Sequence, residues 1–278
     1  MSFFQALAHY GFLQHAMIAG LLASIGCAVM GSYVVLKRIT FLAGGIAHAV
    51  LGGMGVAYWM GAAPLAGAAV SAVLAALLIG WIRMQWHEQE DILIGALWAA
   101  GMAVGLVFIS MTPGYNADLM SYLFGNILVV SHADLWLMGL LDAVIVAITL
   151  ACHRQFLAVC FDEEFARARG VPVTFYYLLL LCLVALTVVL LIRVVGLILV
   201  IALLTIPAAI AVQFAGSMRR IMLLAGALGA AFNCAGLALS FSPDLPAGAV
   251  IVLVAALSFL AVTAGRGAWH RLRRRIGS

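Results

Sequence analysis

The chain has 278 residues, of which 67% are hydrophobic and only 9% are charged, and its formal net charge is +4. A soluble domain carries about a quarter charged residues, so this composition excludes an ordinary soluble protein. Repeated apolar runs of about 20 residues are long enough to cross a hydrocarbon core as α-helices. They lack the alternation of barrel strands. The sequence therefore predicts an all-α, polytopic membrane protein.

The apolar runs predict nine spans within one transmembrane domain, residues 1–278, or eight if the chain is re-entrant near Gly61 or Arg193. The N-terminal residues lack the basic region of a cleavable signal peptide, so the first run is taken as a mature span. In chain order the predicted spans are Tyr10–Leu36, Phe41–Met60, Pro64–Ile82, Ile92–Met111, Ala133–Ala151, Val173–Ile192, Val194–Phe214, Ile221–Phe241 and Pro246–Ala264.

The distribution of Lys and Arg predicts the orientation of the spans. With the N-terminus outside and the C-terminus in the cytoplasm, every Lys and Arg except Arg193 falls on the cytoplasmic side, as the positive-inside rule expects. The loops then placed outside contain Asp118 and Asp244 and no basic residue. The basic tail, residues 265–278, is interpreted as an anchor near anionic membrane lipid rather than a nucleic-acid site.

Small residues are concentrated in the spans, and the chain contains 28 glycines. Apolar burial gives helices little reason to associate in lipid, whereas small residues let their backbones approach closely. The pattern therefore predicts tight helix packing, with some glycines able to line a narrow pathway. The five cysteines show no C-x-x-C spacing and are interpreted as free thiols.

Three polar side chains fall inside predicted spans, where burial is costly and a function is the default hypothesis. For His48 the alternatives are a hydrogen bond to a neighbouring helix and a contact with a metal ion, since imidazole is a common ligand of transition metals. Asp142 is expected to form an interhelical hydrogen bond or to be protonated. Asn233 is expected to form a packing hydrogen bond.

Two stretches on the predicted cytoplasmic side, residues 152–172 and 207–220, are long enough to dock a partner, although each could also be a solvated loop. The first contains an amphipathic segment, Asp162–Arg169, stopped by Gly170. The second is expected to bend at Pro207 before a short helix.

No paired catalytic residues are found. Lys37 is the only lysine, so the chain has no Walker A loop and any ATP would be hydrolysed by another subunit.

The ordered motifs together resemble the membrane permease of bacterial ABC transporters for zinc, manganese and related metals. The resemblance spans nearly the whole chain and includes "LKRITFLAGGIAHAVLGG" early and "LTIPAAIA" late. The segments that carry it are residues 19–55, 118–135, 161–171, 194–211 and 242–260.

The resemblance implies a homodimer in the bacterial inner membrane, two cytoplasmic ATP-hydrolysing subunits and a periplasmic or extracellular metal-binding protein. The cargo would be a divalent transition-metal ion, with zinc favoured over manganese or iron, and no resident cofactor is implied. It also assigns the contacts with the ATPase. These are Gln213, Ser217, Arg219 and Arg220 in the coupling segment, and Glu163, Glu164 and Arg167 in the accessory segment.

In members of this family that hold a metal within the membrane, a carboxylate four residues before the histidine often helps to bind it. Here His48 matches, but position 44 is glycine. One helical turn separates the two positions, so an acid at 44 would face the same cavity. The expected metal pathway consists of His48, with Asp142 and the outer residues Asp118 and Asp244 as further candidates. The alternative is a proton-coupled secondary carrier that uses Asp142 and His48.

Overall fold

The computed structural model describes residues 3–85, 90–112, 125, 127–243 and 245–276. Eight helices in these ranges are long and apolar enough to cross a membrane, which confirms the predicted helical bundle. The helices are α1 (Phe3–His9), α2 (Gly11–Lys37), α3 (Thr40–Trp59), α4 (Pro64–Gln85), α5 (Glu90–Ser110), α6 (His132–Ala151), α7 (His153–Phe161), α8 (Glu163–Ala168), α9 (Val173–Phe214), α10 (Met218–Phe241) and α11 (Ala247–Ile276), with a 3-10 turn at Ile127–Val129.

Helix α9 contains both the sixth and the seventh predicted spans, and its backbone leaves the helical conformation at Gly196. The φ of Gly196 is 78°, in the left-handed region that glycine adopts without a Cβ clash. The first part, Val173–Ile192, is long enough to span a membrane, whereas the second is a shorter apolar helix, Leu199–Phe214.

Contacts along α9 show that the chain reverses direction near Gly196. Tyr177 bonds to Arg83, close to the end of α4, and Ile192 lines a cavity with Pro64, at the start of α4. After the break, Ala208 belongs to one buried cluster with Ala28 of α2, and Leu36 near the end of α2 packs against that cluster. The seventh predicted run is therefore a return pass towards the end of the bundle where α9 began.

The bundle has two chemically different ends. At one, here called the basic end, Lys37 and Arg83 both lie beside Glu163, and Arg266 donates to the carbonyl oxygen of Gln213. At the other, the opposite end, the Phe3 ring packs on Phe241. This separation agrees with the predicted gathering of Lys and Arg on one side. That the basic end faces the cytoplasm stays a prediction.

Glycines bring the helices into backbone contact, as predicted. A Cβ built on Gly101 of α5 would lie 2.6 Å from the Cα of Ala49 in α3, and one on Gly105 would lie 2.6 Å from the carbonyl oxygen of Leu51. Gly31 of α2 packs so closely on α9 that a Cβ there would overlap the carbonyl oxygen of Leu204. These contacts are too close for any larger residue.

We predict that Gly31→Ala lowers the thermal unfolding temperature of the purified protein in detergent. The added methyl group must push α2 away from Leu204, and overpacking of this kind costs about 1–3 kcal/mol. Gly139→Ala in α6 is the matched control, because nothing lies within 4 Å of a Cβ built there. Tryptophan fluorescence during heating measures both variants. Equal unfolding temperatures for the two variants would contradict the close contact.

Candidate functional site

His48 lies on α3 with its ring stacked on the indole of Trp98 in α5. The ring centroids are 3.9 Å apart and the planes differ by 11°. The Nδ1 atom is buried and has no hydrogen-bond partner in the described part of the chain. The ring is therefore held by stacking on Trp98, and among the described residues Nδ1 does not form the hydrogen bond to a neighbouring helix that was one of the two alternatives for His48.

Position 44 lies one turn before His48 and faces the same neighbour. A Cβ built on Gly44 would lie 3.6 Å from Cζ3 of Trp98 and 3.9 Å from Cδ1 of Ile201, which is ordinary van der Waals contact. A Cβ at position 44 therefore has room without forcing the helices apart. The position at which the resemblance implies a carboxylate offers that room but no ligand.

Among the described residues, no group of three or more His, Cys, Asp or Glu side chains could together hold a metal ion. His48 therefore offers a single imidazole per chain, and any stronger site would need ligands from outside the described residues or from another molecule. Asp118 and Asp244, the expected outer contacts, lie outside the described residues.

Asp142 is buried in α6, with 4% of its surface exposed, and packs against α2 at Gly26. A Cβ on Gly26 would lie 2.6 Å from the Oδ1 atom of Asp142, so glycine makes room for the carboxyl group. Neither carboxyl oxygen has a hydrogen-bond partner in the part of the chain that the structure describes. The expected interhelical hydrogen bond is therefore not found there, and a charged carboxylate would be uncompensated.

Asn233 forms the packing hydrogen bonds that were predicted. Its Nδ2 donates to the carbonyl oxygen of Gly20 at 3.0 Å and to Oγ of Ser24 at 2.9 Å. Both partners belong to α2, so the amide joins α10 to α2 inside the bundle. This is a structural role, and no described contact connects Asn233 with His48.

The accessory segment is fixed to the bundle through Glu163. Lys37 donates to Oε1 of Glu163 at 2.5 Å and to the carbonyl oxygen of Val159 at 2.6 Å, and Arg83 lies 3.7 Å from the same carboxylate oxygen. As predicted, a short helix follows Asp162, whose side chain accepts a hydrogen bond from the backbone N–H of Phe165. Sequence reasoning missed the attachment to Lys37, because the two residues are far apart in the chain.

Cys160 lies in the same segment and is poorly suited to bind metal. Burial raises the pKa of the Cys160 thiol to about 11, with Lys37 lowering it and Glu163 raising it by smaller amounts. At neutral pH the sulfur therefore keeps its proton, whereas the thiolate is the form that ligates metals.

The coupling segment differs from the prediction at Pro207. The helix continues through Pro207 to Phe214, and the break in α9 lies earlier, at Gly196. The segment thus consists of the end of the shorter helix Leu199–Phe214, a short connection and the first residues of α10, with no separate helix after Pro207 among these described residues. The side chain of Arg266 covers its end, with the guanidinium 5.2 Å from the ring centroid of Phe214.

Most of the predicted ATPase contacts lie on the surface of the basic end, though their role in coupling stays a prediction. Gln213 is half-buried, and Glu163 is engaged by Lys37. The exposed members are Glu164, Arg167, Ser217, Arg219 and Arg220. The structure thus brings the accessory and coupling segments to the same end of the bundle.

A model of the ABC 3 transport family matches residues 9–266. The chain belongs to the ABC 3 transport family. It is 41% identical to a Chlamydia pneumoniae protein named "Probable metal transport system membrane protein", over 88% of this chain and 85% of the relative. It is 36% identical to the manganese transport system membrane protein MntC of Halalkalibacterium halodurans, over 92% and 88%. This membership confirms the resemblance found in the ordered motifs. It also confirms the prediction of a multi-pass bacterial membrane protein.

A solved structure shares the fold. The structure described as PsaBC from Streptococcus pneumoniae in complex with Fab superimposes with a TM-score of 0.85 and 33% identity, covering 94% of both chains. The likeness covers nearly the whole of both chains and therefore concerns the arrangement of the bundle as a whole.

We predict that Glu163→Gln lowers the unfolding temperature, whereas Glu164→Gln does not. The side chain of Lys37 is only 8% exposed, so loss of the neighbouring negative charge leaves a poorly solvated cation. Because Glu163 is 34% exposed and the amide oxygen can still accept a hydrogen bond, the cost is about 1–3 kcal/mol rather than that of a fully buried pair. Thermal unfolding in detergent measures it, and unchanged stability would show that the pair does not fix the segment.

Proposed function

We propose that this protein is the membrane-spanning permease subunit of an ATP-binding-cassette importer for divalent transition-metal ions. The observation that carries the proposal is the family match over residues 9–266, together with relatives of similar length whose names give metal transport. The closely packed helical bundle, with docking segments at one end, is suited to this function.

The ion passes between two copies of the chain. One copy of the chain offers His48 without a carboxylate at position 44, so a second copy is the simplest source of another imidazole ligand. Trp98 keeps the ring in place against a flat aromatic surface. A conduit must release its ion as well as bind it, and ligation by isolated imidazoles suits that requirement.

The cargo belongs to the first-row transition metals. An imidazole without a hard oxygen ligand favours zinc over manganese, whereas the MntC relative is named for manganese transport. The two indications differ, and both ions belong in the transport assay described below.

ATP is hydrolysed by a separate subunit, because the only lysine of the chain, Lys37, lies outside any Walker A sequence and donates to Glu163. That subunit docks on the exposed residues of the basic end, including Arg219 and Arg220 after the coupling segment and Glu164 and Arg167 in the accessory segment. The metal-binding protein then docks at the opposite end.

We expect vesicles that contain this chain with its ATPase and binding protein to take up zinc or manganese only when ATP is supplied on the ATPase side. The assay presents zinc, manganese and iron separately and measures internal metal over time. Vesicles with an ATPase unable to hydrolyse ATP are the control. Uptake that ignores ATP and follows a proton gradient would contradict the proposal and favour the secondary carrier.

Two substitutions on one turn of α3 test the contact with His48. His48→Gln should lower uptake at limiting metal by at least about tenfold while assembly with the ATPase persists, because it removes the imidazole ligand. Gly44→Asp should instead slow release of the ion, because it adds a carboxylate where a Cβ has room. Gly44→Asn is the matched uncharged control. Unchanged uptake by His48→Gln would exclude the histidine from the pathway.

A further inference from the structure

A pair of histidines lies at the opposite end of the bundle and has no part in the pathway described so far. The Nε2 atom of His15, in α2, is 3.1 Å from the Nε2 atom of His132, the first residue of α6. The ring centroids are 4.2 Å apart and the ring planes are inclined at 70°. His132 is exposed and His15 is half-buried, so the pair is accessible from outside the bundle.

A backbone contact fixes the proton of His15. Its Nδ1 atom lies 3.2 Å from the carbonyl oxygen of Val130, and a carbonyl can only accept, so Nδ1 carries the hydrogen. In the neutral ring the lone pair is then on Nε2, the atom that faces His132. Histidines that bind metals usually donate their other ring nitrogen to a carbonyl or a carboxylate in this way.

The spacing of the two nitrogens suits a shared ion. Two nitrogens bound to one metal at 2.0–2.1 Å lie about 3.4 Å apart at a tetrahedral angle and about 2.9 Å apart at a right angle. The distance of 3.1 Å in this structure lies between these values. Without metal, Nε2–H of His132 donates to His15. When an ion binds, that hydrogen moves to Nδ1 of His132, and both rings stay neutral.

The start of α6 holds His132 in position. Ser131 and Asp134 form a reciprocal cap, in which Oγ of Ser131 accepts from the N–H of Asp134 at 3.2 Å and the carboxylate accepts from the N–H of Ser131 at 3.1 Å. The positive end of a helix dipole disfavours a cation nearby. The carboxylate of Asp134, in the same turn, offsets that effect.

We propose that His15 and His132 form a binding site for a divalent transition-metal ion at the end of the bundle opposite Lys37. The site contributes two neutral imidazoles, and water completes the coordination. Its role as the first contact of an arriving ion rests on the proposed importer function. Its ability to bind metal does not.

The test measures binding of zinc alone and of manganese alone to the purified full chain in detergent by calorimetry near neutral pH. We expect His132→Gln to weaken one binding event by at least about tenfold, since half of the ligands are lost. The double variant His15→Gln/His132→Gln should bind the metal no more tightly than the single variant His132→Gln. His9→Gln, which removes an exposed histidine at the same end of the bundle, should leave that event unchanged.

Two further measurements separate the possible failures. His132 is exposed, so its variant should fold, and an unchanged unfolding temperature verifies this. If His132→Gln binds zinc and manganese like the parent chain, the pair is only a hydrogen bond and the site does not exist. If binding is lost but ATP-dependent uptake at limiting metal is unaffected, the importer function stands and the entry role is wrong. If His48→Gln also abolishes this metal-binding event, the assignment of the event to His15 and His132 is wrong.

Discussion

Close backbone approach along α2 is the constraint on which the rest of the structure depends. Apolar side chains give helices little preference for one another over lipid, so the bundle needs contacts that lipid cannot replace. Along α2, Gly20 meets Asn233, Gly26 meets Asp142 and Gly31 meets the backbone of Leu204. One helix thereby fixes the depth and rotation of α10, α6 and α9 in turn.

The same helix connects the two ends of the molecule. Lys37, its last residue, holds the accessory segment through Glu163, and His15, near its start, meets His132. A rigid α2 would move both ends together, whereas His48 belongs to α3 and packs against α5. The close glycine contacts between α3 and α5 hold those two helices together.

The sequence was sufficient for the bundle because its signal is local. An apolar run predicts a helix from its own residues alone. Small residues at helical spacing predict close helix contacts, as the approach of Gly101 to Ala49 confirms. The break in α9 was harder to place. Pro207 is the stronger local signal for a bend, but the helix continues through it and breaks at Gly196, where φ is positive.

The missed contacts share a physical cause, which is distance along the chain. Nothing near Glu163 indicates that Lys37 will bind it, and nothing near His132 indicates His15. Such pairs form only when the packing of intervening helices brings their ends together. His48 could be identified from its burial cost in an apolar run, whereas its stacking on Trp98 depends on the register of α3 and α5 and could not.

In the proposed importer, the absence of a carboxylate at position 44 changes what the pathway must do. A site that combines an acid and an imidazole holds an ion firmly and needs a conformational change to release it. Where His48 is the one pathway ligand found among the described residues of each chain, the proposed function requires that affinity come from two chains at once. Separating those chains by even a small distance then removes one ligand and frees the ion. In the proposed importer, ATPase motion transmitted through the basic end would need only to alter the spacing between the two copies, with no rearrangement inside either bundle.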